Sequence, residues 1–241
     1  MPMISSRQVV FAASALMACG GSAQAVSLPH PGQVLVQDGV YDNVVETSIT
    51  DALPMYGAPS AGAGNTMSLP MTSFTASAAD NASDLTAGAL EFTFDADPGK
   101  FISTMSIFES GVYDVTAGSV SVAGALTVRY FDDPTQQFVT LADPIHIVVS
   151  PGGLPAPAAG FPVDGSGTGS WLGAALIDLA DLGIQTSSVI VAMDNTLAAS
   201  ALAGGTAMIS KDELTINTTI IPEPASLALM GLGLAMIVKR G

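Results

Sequence analysis

Residues 119–130 read SVSVAGALTVRY. Val120, Val122, Leu126, Val128 and Tyr130 alternate with Ser119, Ser121, Thr127 and Arg129, and only Gly124 breaks the apolar row. Successive strand side chains point to opposite faces, so a period of two predicts a strand with one face in a core and the other in water. The pattern recurs at Leu90, Phe92 and Phe94, which alternate with Glu91, Thr93 and Asp95. Further strands are expected over 33–37, 44–50, 101–109, 145–150, 188–193 and 207–219. Turn formers separate them: Asp38-Gly39, Asp97-Pro98-Gly99, Asp132-Asp133-Pro134 and Asp143-Pro144. Many strands, polar turns and little helical period predict an all-β fold, a single antiparallel β-sandwich or jelly-roll domain. In residues 171–182, Leu172, Leu176, Leu179 and Leu182 fit a helical stripe or a strand followed by one helical turn, and we favour the strand. Residues 54–80 and 151–169 are rich in Pro, Gly, Ala and Ser and read as two long loops.

Outside this body the two ends have different grammars. The N-terminus, MPMISSRQVVFAASALMACGGSAQAVS, places Arg7 before an uncharged apolar stretch and then Ala23-Gln24-Ala25. That order is a secretory signal peptide, residues 1–25, with Ala23 and Ala25 filling the small pockets of signal peptidase. Leu16-Met17-Ala18-Cys19 offers a competing site, because it resembles a lipobox in which Cys19 would carry a lipid. Cys19 is the sole cysteine, so removal of the leader leaves a body without thiol or disulfide.

The C-terminus reads IPEPASLALMGLGLAMIVKRG, residues 221–241. Ala225 to Val238 is uncharged and as a helix would span about 21 Å, short of the ~30 Å hydrocarbon core. Pro222 and Pro224 block helix propagation from the N-terminal side. Lys239 and Arg240 sit where the positive-inside rule places a cytoplasmic stop. Pro222-Glu223-Pro224, a short apolar helix and a basic end resemble the PEP-CTERM sorting signal. The resemblance implies that exosortase, a membrane-embedded transpeptidase, recognises Pro222, Glu223 and Pro224 and cuts near them while the helix is a transient membrane tether. It also implies a link to exopolysaccharide and biofilm matrix. The stretch 171–218 resembles the end of the extracellular domain of many such proteins through Asp194-Asn195, Gly205-Thr206-Ala207 and Lys211-Asp212. The expected organisation is therefore a signal peptide at 1–25, a β domain at 26–220 and a sorting signal at 221–241. Lys211-Asp212-Glu213-Leu214 spells a retention tetrapeptide, but such addresses are read only at a C-terminus.

Between Val26 and Ile221 the chain holds 20 acidic residues against Lys100, Arg129 and Lys211. A surface so acidic is repelled by phosphate backbones, which excludes nucleic acid as a partner. His30 and His146 are the only histidines, and no nucleophile elbow or zinc-binding helix motif surrounds either. His30 is expected in a flexible terminus, and His146 on the polar face of a strand or packed. Glu91, Asp95 and Glu109 are carboxylates on strands or turns, read as solvated acids rather than a glycosidase pair. Asp95, Asp97, Asp132, Asp133 and Asp164 are loop oxygen donors that leave room for a structural calcium ion, though no EF-hand spacing is present. Otherwise no cofactor or metal is expected. A glycine-rich run at 163–169 lacks the lysine and helix of a phosphate loop. The expectation is a non-catalytic exported protein of the cell surface or matrix. The alternatives are a carbohydrate-binding module using Trp171 and the tyrosines, or a secreted glycosidase.

Overall fold

The computed structural model describes residues 25–150 and 161–223. The strands are β1 (Val26–Pro29), β2 (Val34–Val36), β3 (Gly39–Ser48), β4 (Ser60–Ala61), β5 (Thr66–Pro70), β6 (Thr75–Ala79) and β7 (Ser83–Ala96). They continue with β8 (Lys100–Asp132), β9 (Gln137–Pro144), β10 (His146–Ser150), β11 (Phe161–Asp178), β12 (Ser188–Ala201) and β13 (Thr206–Pro222). Every strand pair is antiparallel, and the described residues contain no helix.

β8 organises the sheet. The stretches 101–109 and 119–130, expected as separate strands, belong to this single 33-residue strand. Fully extended it would reach about 110 Å at ~3.3 Å per residue, whereas a folded domain of this size has a radius of gyration of roughly 16 Å. It must therefore bend, and its neighbours change where it does. On one edge β8 pairs with β13 as far as Val115 and with β12 from Gly118 onward. On the other edge it pairs with β11 as far as Val122 and with β9 from Ala125 onward. Gly118 stands at the first exchange with φ 151°. Gly124, the residue that interrupts the apolar row, stands at the second. A Cβ on Gly118 would lie 2.1 Å from Ser200 O, and one on Gly124 would lie 2.4 Å from Asp194 O. The inward-facing residues also change phase here, from Met105, Ile107, Tyr113 and Val115 to Val120, Val122, Leu126, Val128 and Tyr130, all buried. Such a slip is what an irregularity in a strand produces.

The all-β antiparallel expectation is met, but the two separate sheets of a sandwich are not what forms. One hydrogen-bonded sheet runs β1-β3-β7-β12-β8-β13-β5-β4, with the remaining strands on its branches, and curls into a half-barrel. Because β8 is paired along both edges through both halves, no break arises between them. The curl brings distant strands face to face. Tyr41 of β3 makes hydrogen bonds to Asn65 O at 2.7 Å and to Thr218 Oγ1 of β13 at 2.8 Å. Inside lie Trp171, Tyr41, Tyr56, Phe74, Phe92 and Phe94, all fully buried. Tyr41 packs edge-on to Phe92 and tilted on Phe94, a geometry worth about 0.5–1.5 kcal/mol per pair beyond area burial.

Both expected loops contain strands. Within 54–80, β5 and β6 complete the free edge of β13, β4 extends β5, and Met55, Tyr56 and Phe74 are buried. Their runs of two to five residues are too short for a period to show. Residues 161–169 belong to β11, while 151–160 lie outside the described residues. Over 171–182 the strand prevails: Trp171, Ala175 and Ile177 face inward while Leu172 and Leu176 face solvent. A turn follows, closed by Ile184 N donating to Leu179 O at 2.8 Å.

Gly111 of β8 shows how closely its neighbouring strands β11 and β13 approach it. A Cβ there would lie 1.9 Å from Ser210 O and 2.5 Å from Trp171 Nε1, and Trp171 Nε1 donates to that same Ser210 O at 3.1 Å. Gly111→Ala is expected to lower unfolding free energy by about 1–3 kcal/mol, the range for overpacking. Gly167→Ala, whose Cβ would meet nothing within 4 Å, should stay within about 0.5 kcal/mol. Urea denaturation of the two variants checks this, and equal effects would contradict the packing described.

Candidate functional site

The expected sorting residues begin where the sheet ends. Ile221 and Pro222, the last residues of β13, pair with Phe101 and Lys100 and are exposed. Glu223 N then donates to Gly99 O at 2.9 Å. Proline cannot donate to a ladder, so Pro222 suits the terminus of a strand. Ala25 is exposed and immediately precedes β1. Ala23, Cys19, Pro224, Lys239 and Arg240 lie outside the described residues, as does the apolar run 225–238. Among the described residues no helix is long and apolar enough to cross a membrane.

A charged clamp braces this exit. Lys100 Nζ donates to Asp38 Oδ1 at 2.8 Å and to Asp97 Oδ2 at 3.2 Å. Asn65 also donates to Asp38 Oδ2 at 2.9 Å, joining the turn before β3 to the start of β5. The hydrogen bond from Lys100, then that from Asn65, holds the Asp38 carboxyl below its ordinary value, and the two aspartates raise Lys100.

A second polar cluster lies in the core, on residues that face inward among apolar neighbours. Glu109 follows Met105 and Ile107 on β8, Asn195 follows Val191 and Met193 on β12, and Lys211 follows Ala207 and Ile209 on β13. All three are at most 3% exposed. Lys211 Nζ donates to Glu109 Oε2 at 2.5 Å, and Asn195 Nδ2 donates to the same oxygen at 2.6 Å. The lysine ammonium lies 4.8 Å from the ring centre of Phe74 and 6.0 Å from that of Tyr56. Burial pushes the Lys211 amine down from its ordinary value, against the pull of Glu109. Among the described residues, Glu109 Oε1, Asn195 Oδ1 and Tyr56 Oη have no hydrogen-bond partner. Gly173 opposite leaves room for the carboxylate, since a Cβ there would sit 2.8 Å from Glu109 Cγ. A little apart, buried Glu46 takes the amides of Met55 and Tyr56 at 2.5 and 3.2 Å, with His30 Nε2 3.5 Å from its other oxygen.

Several sequence expectations change accordingly. Glu109 is buried, not a solvated acid, while Glu91 and Asp95 are exposed, so the three do not share a cleft. His30 is tied down, its amide donating to Val44 O at 2.8 Å and its imidazole against Glu46. His146 is exposed beside Asp143, as expected of the outer face. Trp171, Tyr41, Tyr56, Tyr113 and Tyr130 are all buried, which removes the sugar-stacking platform that the carbohydrate-binding alternative would use. Of the loop acids, Asp97 belongs to the clamp and Asp132 accepts from Thr135, and among the described residues no three His, Cys, Asp or Glu gather as a metal site. Sequence reasoning missed Asn195 and Lys211 as partners. The available signal was their phase, since each is a polar residue in an inward-facing register.

The clamp has a pH signature. A carboxyl held below its unfolded value contributes stability that is complete above that value, 3.8, and is lost as pH falls through the folded value. Asp38→Asn should therefore melt below wild type at neutral pH, and the gap should close as pH is lowered through and below the ordinary carboxylate range. Thermal melts across pH check this, and a gap independent of pH would contradict the clamp.

No curated protein matches the chain. Among solved structures, similarity is recorded to the enzymatically active domain of bacteriophage CBA120 tailspike protein 4, at 10% identity and TM-score 0.18, over 79% of this chain and 19% of that one. The structures of infectious bursal disease virus Gx and Gt strains match at 13% and 15% identity with TM-scores of 0.15 and 0.14. They align over 80% and 76% of this chain, which spans little more than half of each. With TM-scores so far below 0.5, none of these likenesses carries fold or activity across. The C-terminal segment is different. Residues 221–240 match the family model of the PEP-CTERM protein-sorting motif, which implies an exported, membrane-associated or cell-surface protein processed by exosortase.

Proposed function

We propose that the chain is a non-catalytic exported protein of the cell surface or extracellular matrix, delivered by cuts at its two ends. The observation that supports this reading is where the sheet stops. β1 begins at Val26, directly after Ala25, and β13 ends at Pro222, inside the sorting motif. Cleavage after Ala25 by signal peptidase would fall before the first strand, and cleavage by exosortase beyond Glu223, whose amide donates to Gly99 O, would fall after the last strand. Processing then removes segments without dismantling the fold.

In this reading the apolar run 225–238 parks in the membrane, and Lys239 and Arg240 stay on its inner side. Glu223 lies between two prolines at the outer surface, extended enough to offer its peptide bonds to an enzyme. The acidic, nearly cation-free surface suits a solvated matrix component beside exopolysaccharide in a biofilm. Each cation of the body is already engaged: Lys100 in the clamp, Lys211 in the core, and Arg129 over the Phe138 ring at 5.0 Å.

Replacement of Pro222, Glu223 and Pro224 together by alanine is expected to leave a longer, membrane-associated precursor in the native host. Fractionation followed by intact mass measurement reads the result. Release of the triple variant with the wild-type mass would overturn the proposal.

A further inference from the structure

The buried Lys211–Glu109–Asn195 cluster is poorly explained as a resting ion pair. A lysine ammonium has three protons to donate, yet among the described residues Glu109 Oε2 is its one hydrogen-bond acceptor, and aromatic rings face the remainder. Glu109 Oε1 and Asn195 Oδ1 are buried without hydrogen-bond partners among the described residues. Charges taken out of water normally have their remaining lone pairs and protons satisfied, because leaving them unmet is costly. The arrangement makes better sense as reactants held together. An amine and a carboxamide meet on a single carboxylate oxygen, in a pocket closed by Phe74 and Tyr56.

We propose that Lys211 and Asn195 become joined by an intramolecular isopeptide bond that forms after folding, with Glu109 transferring the proton. In a dry site the Lys211 ammonium gives its proton to Glu109, because two neutral groups are cheaper to bury than two charges. The lowered basicity of Lys211 acts in the same direction. With the Asn195 amide turned over, which exchanges its oxygen and nitrogen, the neutral Glu109 donates to Oδ1 and polarises Cγ. The Nζ lone pair attacks Cγ, and the Cγ–Nδ2 bond breaks. Glu109 passes one proton from Nζ to Nδ2, which leaves as ammonia. One C–N bond forms and one breaks, Glu109 is left as the neutral acid that it was when the attack began, and no oxidant is consumed. The product is a neutral amide, so the buried charge disappears.

The position gives the bond a purpose. Asn195 lies on β12 and Lys211 on β13, which flank β8 on the same edge at its two different halves. A covalent link here would pin the halves of the curled sheet to each other. Among the described residues there is no cysteine to do so by disulfide.

Intact mass and peptide mapping of the exported protein, as processed in its native host, test the proposal. The expected mass is one ammonia, about 17 Da, below that calculated for the residues the processed chain retains. Digestion before aspartate should release residues 194–211 carrying the whole deficit as an internal ring. That peptide should give no backbone fragments between Asn195 and Lys211, and its lysine should not react with an amine reagent after denaturation. Asn195→Asp should lose water in place of ammonia, and Glu109→Gln should regain the full mass. If Glu109→Gln fails to fold, the wild-type peptide still decides. An unmodified 194–211 peptide would overturn the bond, as would a linear succinimide at Asn195 with a reactive Lys211. Ammonia loss persisting in Glu109→Gln would overturn the role of the carboxyl.

Discussion

The structure depends on β8 being hydrogen-bonded along both edges for most of its length. A strand of 33 residues cannot run straight through a domain of this size, and it cannot stop without leaving two sheets to find each other. It bends instead, at glycines where backbone from another strand comes too close for a side chain. The exchange of neighbours at those points turns what would be two sheets into one. Everything packed inside the curl, from Tyr41 to Trp171, is enclosed because this strand has two successive sets of partners.

Inside that enclosure lies an unusual allotment of charge. A body with three cations places one of them wholly in the core, against one carboxylate and two aromatic rings. A second cation braces the turn beside the last strand, where the fold hands over to the sorting segment. The two uses are physically distinct. The Lys100 contacts are partly solvated and answer to pH and salt, as surface pairs do. The Lys211 contacts are dry, so their protonation and their chemistry are governed by burial.

Strand identity was legible because half-burial imposes a period of two, and the apolar residues of 119–130 are the buried ones in the fold. The C-terminal segment was legible for a different reason: a sorting signal carries order, charge and length cues that need no tertiary context. Sheet number was not legible, since the partners of β8 lie as far away as residue 222 and nothing local specifies them. The short strands of 54–80 escaped notice because they exist as additions to the edge of β13, not through a pattern of their own. Trp171 follows a glycine run, and its burial leaves the carbohydrate-binding alternative without its platform. Those glycines belong to β11, and the indole is instead received at a bare Gly111. Glu109 was misjudged from its charge alone. Its place in line with Met105 and Ile107 pointed inward, and a buried acid on an apolar face calls for a partner.

Fold and sorting signal join at one residue pair. Pro222 closes β13 against Lys100, so the segment cut by exosortase starts where the last ladder hydrogen bonds end. Neither Ala25 nor Glu223 belongs to the strand that holds the body together. Native-state hydrogen exchange along β8 tests this account most directly. Amides of residues 105–115 and 120–130 should exchange only through global unfolding, with one common free energy equal to that from denaturant titration. Two distinct values, with one half of β8 opening while the other stays protected, would contradict a sheet held together by that strand.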